Sequence, residues 1–181
     1  MVTMTMICLA TALGAHVGSA AATEPVDAPI APHVRALSDS ARELLSDAIG
    51  RSPTIARLVQ RLQAQKIFVL LETRVDPSVP TAETSLLAAT EAGRYLYVVL
   101  NPQLSRNRRM ELLGHELQHA VEIAQAESVR DGRSLREYYA VHGRALTSSG
   151  NRTQSYETDA AQTIERQVRR ELALGLGSGQ I

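Results

Sequence analysis

Aromatic residues are scarce: of 181 residues, five are tyrosine, one is phenylalanine and none is tryptophan. A core built on large rings is therefore excluded. Packing must rest on Leu, Val, Ile and Ala, within an apolar fraction of 44% that is ordinary for a globular chain. Cysteine is scarcer still, with Cys8 alone. An intrachain disulfide is excluded, and a metal site must use His, Asp and Glu. Net charge is also missing, because 19 basic side chains balance 19 acidic ones. That balance gives no field to gather nucleic acid or a strongly anionic membrane. No long apolar run is present either. The stretch Met6 to Ala15 is too short and too interrupted by Thr and Gly for a stable membrane span.

What is present begins with an uncharged N-terminus. Met1 to Ala22 has no Asp, Glu, Lys or Arg, and small residues follow its apolar run at Gly18-Ser19-Ala20-Ala21-Ala22. This reads as an export signal over 1–22, although the start lacks the usual basic residues and His16 interrupts the apolar stretch. Thr23 to Pro32, with three prolines, reads as a linker. A single domain is expected over 33–174, followed by a Gly- and Ser-rich tail over 175–181. The expected location is the periplasm or the extracellular space.

Along the domain, Val34 to Ile49 has helical spacing of Val34, Leu37, Ala41, Leu44, Leu45 and Ala48, with Gly50 as a stop. Ser52-Pro53 opens a second helix with Ile55, Leu58, Val59 and Leu62 on one face. Ile67 to Glu72 reads as a buried strand. Thr84 to Thr90 and Arg94 to Asn101 read as a hairpin turning at Glu91-Ala92-Gly93. Ser105 caps a helix running to about Ser128, Arg133 to Thr153 reads as a loop, and Ser155 caps a last helix from Tyr156 to about Leu174. The fold class expected is α+β: two N-terminal helices, then a small, mostly antiparallel sheet packed on the long helix and the C-terminal helix.

The long helix carries His115-Glu116-Leu117-Gln118-His119, an HExxH motif. Residues four apart share a helix face, so two imidazoles can bind one ion. Glu116 lies about 100° round the helix, within reach of water on that ion. A catalytic zinc takes a third protein ligand. Glu122 shares the face, but at 1.5 Å per residue its Cα lies roughly 10 Å along the axis from that of His115. A supporting polar role suits it better. His142, Glu157 and Asp159 are the remaining choices; the metzincin pattern is excluded because Glu122 and Gln125 stand where it needs Gly and His. Tyr138, Tyr139, His142, Arg144 and Tyr156 are possible contacts to substrate or to a developing oxyanion.

The segments His115-Glu116-Leu117-Gln118-His119-Ala120-Val121-Glu122 and Tyr156-Glu157-Thr158-Asp159-Ala160-Ala161 together resemble the gluzincin group of zinc metallopeptidases, in its minimal single-domain form. The resemblance implies Zn²⁺ held by His115, His119 and Glu157. It makes Asp159 the partner of a ligating imidazole; the interval of two residues, against four in the thermolysin-like pattern, also leaves Asp159 as an alternative ligand. The implied activity is hydrolysis of peptide bonds in a peptide or protein, with Glu116 assisting attack by a zinc-bound water. An edge strand would hold the substrate extended, and Arg94 to Leu100, just before the motif helix, is the strand expected to do so. Two other classes share the residues: a non-catalytic zinc-binding or scaffold domain, and a zinc amide hydrolase acting on a non-protein or cell-wall substrate.

Overall fold

The computed structural model describes residues 33–79, 81–146 and 155–175. The expected export signal and linker, most of the tail and the polar segment 147–154 lie outside the described residues. Strand β1 (Val34–Ala36) leads into helices α1 (Asp39–Arg51) and α2 (Pro53–Gln63). Strands β2 (Ile67–Thr73), β3 (Ala82–Ala89) and β4 (Arg94–Leu100) follow, then α3 (Arg106–Gln125) and α4 (Gly132–His142). A short pair, β5 (Arg144–Leu146) and β6 (Ser155–Glu157), precedes α5 (Asp159–Leu174).

The α+β class stands, but the sheet is mixed rather than mostly antiparallel. Its order is β1-β2-β4-β3, with β1–β2 and β2–β4 parallel and only β3–β4 antiparallel. The cause is connectivity. The α1–α2 pair forms the crossover that lets β1 lie parallel to β2. The chain after β2 runs to the far edge, and the β3–β4 hairpin returns β4 to the middle. Gly93 turns that hairpin at φ +150°, and a Cβ there would lie 2.8 Å from the Lys66 carbonyl. β4 is thus a central strand, and β3 is the edge, contrary to the expected edge role of Arg94 to Leu100.

The first helix also starts later than its apolar spacing suggests. Val34 pairs with Val69 as a strand, Leu37 is half exposed, and the Ser38 hydroxyl accepts from Ala41 N to cap α1. Gly50 lies inside α1. The stop is Ser52, whose N–H donates to the Ala48 carbonyl while its hydroxyl caps α2 by accepting from Ile55 N.

Helix α3 is the centre of the domain. Every residue from Met110 to Ala124 except Gln118 is buried, against strands β2 to β4 and against α1, α2 and α5. Ser105 caps its start as expected. Its end comes at Gln125, where the buried Arg94 side chain donates to the carbonyls of Ile123, Ala124 and Ala126. A cation satisfying the last carbonyls complements the helix dipole there. No helix among the described residues is long and apolar enough to cross a membrane.

Candidate metal centre

The α3 helix sets His115 and His119 one turn apart, and their Nε2 atoms approach to 3.1 Å. Glu157 comes from β6, where its Oε1 lies 3.1 Å from His115 Nε2. One ligand atom from each of the three residues fits within 4.8 Å of the others. Both histidines are buried and Glu157 is half buried. Glu157 is thus delivered by the end of a strand, one residue before the Thr158 cap of α5, and not by the first turn of a helix starting at Tyr156. Its second oxygen, Oε2, accepts from Gln162 Nε2 at 3.0 Å.

The outer nitrogens face carboxylates. Glu122 Oε2 lies 2.9 Å from His119 Nδ1. That contact places a proton on Nδ1 and leaves a lone pair on Nε2, the tautomer a metal ligand needs. Glu165 Oε2, from α5, lies 3.2 Å from His115 Nδ1, near enough for charge attraction but out of line for a hydrogen bond. Glu165 is in turn held by Arg108 and Arg169. Two imidazole nitrogens and a carboxylate oxygen converge, and among the described residues no further donor is placed between them. Three such acceptors repel unless a cation or a shared proton lies among them, and two nitrogens with one oxygen form a donor set suited to catalytic zinc.

The charges describe a cation held within the trio, here as a proton shared between His115 and Glu157. Burial pushes the His115 pKa down, but the Glu157 contact and the negative charges of Glu116, Glu157 and Glu165 outweigh it and raise the value. Burial pushes Glu157 up, yet His115, Gln162 and His119 bring it below the usual carboxylate range. Glu122 is likewise lowered against its burial, by His119, Thr158 and Gln118. Burial, followed by Glu122, raises Tyr139 so far that its hydroxyl stays protonated.

Glu116 is buried at 5% exposure, and its Oε2 accepts from Thr84 Oγ1 on the edge strand β3 at 2.6 Å. A cleft of about 450 Å³ opens beside Glu157, the one member of the trio in its walls, with Glu122, Tyr138, His142, Arg144 and Thr158 also lining it.

The remaining expected residues fall into place around the trio. Glu122 supports His119, as its axial distance implied. His142 is exposed and tilted on Tyr138 at 4.5 Å between centroids, outside the trio. Asp159 is exposed in the first turn of α5 and also outside it; Glu122 and Glu165 are the carboxylates that face the outer imidazole nitrogens. Tyr139 has its hydroxyl 3.2 Å from His119 Nδ1. It therefore sits behind the histidine and not on the side where the ligand atoms meet. Tyr156 is half buried and stacked on Tyr139 at 6.4 Å. Helix α4, which carries Tyr138, Tyr139 and His142, was expected as loop. Its apolar stripe is short, Leu135, Tyr138 and Tyr139 at i, i+3 and i+4 with only Tyr139 fully buried, and its start carries a second signal, the reciprocal Asp131–Ser134 capping box. Glu165, Thr158 and Thr84 escaped the sequence reading. For Glu165 a signal existed: it is an acid on the inward stripe Ala161, Ile164, Val168, Leu172.

The chain matches no family model, no curated protein and no solved structure.

Proposed function

We propose that this protein is an exported zinc-dependent hydrolase of peptide bonds, with a zincin-like arrangement of sheet, α3 and α5. The observation that carries the reading is the meeting of His115 Nε2, His119 Nε2 and a Glu157 oxygen beside the buried Glu116. His115, His119 and Glu157 would hold the ion. When bound, zinc supplies Lewis-acid polarisation of a carbonyl and activation of water. Glu116 accepts the proton of the attacking water and later delivers it to the departing amine. Thr84 fixes one oxygen of Glu116 from the edge strand and so keeps the carboxylate aimed. The free edge of β3, joined to Glu116 through Thr84, suits an extended peptide bound by backbone pairing. His142, Tyr138 and Arg144 are the cleft side chains able to donate to a developing oxyanion. The uncharged N-terminal stretch supports export.

Glu116→Gln tests the reading. Cleavage of a mixed-sequence peptide pool should fall by roughly 10²–10⁴-fold, the usual contribution of a positioned acid–base group, while bound zinc stays unchanged. If zinc-loaded wild-type protein cleaves no member of the pool, peptide-bond hydrolysis is the wrong assignment.

A further inference from the structure

The third ligand, Glu157, and the second histidine come from segments far apart in sequence. One side chain joins them. Thr158 follows Glu157 directly and is buried. Its hydroxyl donates to Glu122 Oε1 at 2.8 Å and accepts from Ala161 N at 3.1 Å. The other oxygen of Glu122, Oε2, holds His119 Nδ1 at 2.9 Å. A continuous chain therefore runs from the first turn of α5 through Thr158 and Glu122 to His119. It spends both hydrogen-bonding capacities of the hydroxyl, as donor to a carboxylate and as acceptor at a helix N-terminus.

We propose that Thr158 is a positioning residue that sets the third ligand against the histidine pair. The inference rests on the zinc reading above. Three facts point to it. β6 has only three residues and pairs with the equally short β5, so strand pairing alone holds Glu157 weakly. Thr158 is the residue next to the ligand, so its dihedral angles and those of Glu157 are set together. Glu122 is a shared partner, so moving Thr158 also frees the carboxylate that orients His119. Glu122 Oε1 would keep only the 3.4 Å contact from Gln118 Nε2. Thr158 thus acts on two ligands at once, through the backbone on Glu157 and through Glu122 on His119.

The test is zinc affinity, read by competition between the full chain and a chelating indicator. Thr158→Ser keeps a hydroxyl that both donates and accepts, and should bind zinc within a few-fold of wild type. Thr158→Val keeps the shape and loses both bonds. Its affinity should fall by roughly 10–100-fold, the scale of losing an outer partner of a metal ligand. Circular dichroism and thermal unfolding of the metal-free proteins show whether Thr158→Val is folded. The fall should disappear in a Glu122→Ala background, because the chain is already cut there; a mere loss of helix capping would persist. Should Glu122→Ala fail to fold, Thr158→Gly takes its place: it keeps most of the capping preference and loses the bond to Glu122, so the fall should remain, and its disappearance overturns the inference. Equal affinity of wild type and folded Thr158→Val overturns this inference and leaves the zinc reading intact. Absence of zinc binding by wild type overturns both.

Discussion

A carboxylate buried in this protein is defined by what its two oxygens touch. Glu122 has one oxygen on His119 and the other on Thr158, and it lies outside the trio that could hold an ion. Its axial distance from His115 was legible from helical rise alone, because rise is local geometry. The parts of Glu165 and Glu171 were not, since their partners lie on other helices. Glu171, on α5, is 3% exposed and reaches the start of α2. Its oxygens accept from Ser52 Oγ, Thr54 N, Thr54 Oγ1 and Gln167 Nε2. Burial alone would raise its pKa, but these bonds outweigh it and lower the value. A depressed carboxylate stabilises the fold above its unfolded pKa, near the ordinary glutamate value of 4.5. That stabilisation is lost as pH falls through the lower folded value. Glu171→Gln should therefore cost about 1–3 kcal/mol near neutral pH, the scale of hydrogen bonds to a charged group. In urea unfolding at successively lower pH, the gap between wild type and variant should close below the usual carboxylate range. A gap that stays constant into strong acid would show that the charge contributes nothing.

Among the elements, the contact between α3 and α5 decides whether a site exists. It forms over Gly114, the residue before His115. A Cβ at Gly114 would lie 2.8 Å from Val168 Cγ2 and 3.4 Å from Ile164 Cγ2. The buried Ala161 lies on the same inward stripe of α5, whereas Ala160 is exposed in the cleft. Gly114→Val should therefore lower thermal stability by about 1–3 kcal/mol through overpacking. It should also weaken zinc binding, because α5 carries Thr158 next to Glu157. Adding Val168→Ala should restore part of both losses; a fully stable Gly114→Val single variant would show that the helices can separate there at no cost. Elements with strong local signals were legible: α2 by its Ser-Pro start, the hairpin by its glycine turn, and α3 by Ser105 and its apolar run. β1 was hidden because the spacing of Val34 and Leu37 fits a helix equally well, and only pairing with β2 selects the strand. The start of α5 was displaced from Ser155 to Thr158 because both residues can cap, and pairing of β6 with β5 settles which does.

For the whole molecule, local pattern and tertiary assembly divide the site between them. His115, Glu116 and His119 were legible because one helical turn brings them together. The sheet's mixed order was not, because it depends on where the chain goes between β2 and β3. The candidate third ligand was legible only as a choice among His142, Glu157 and Asp159, and folding brings Glu157 to the histidines. The proposed metal site therefore depends on Glu157 more than on the motif. Zinc titration of wild type and Glu157→Ala, with folding checked by circular dichroism, addresses it directly. Wild type should take up one zinc per chain. Glu157→Ala should bind at least as weakly as a protein that has lost an outer partner, a fall of roughly 10–100-fold or more. Full affinity in a folded Glu157→Ala protein would contradict the three-ligand site.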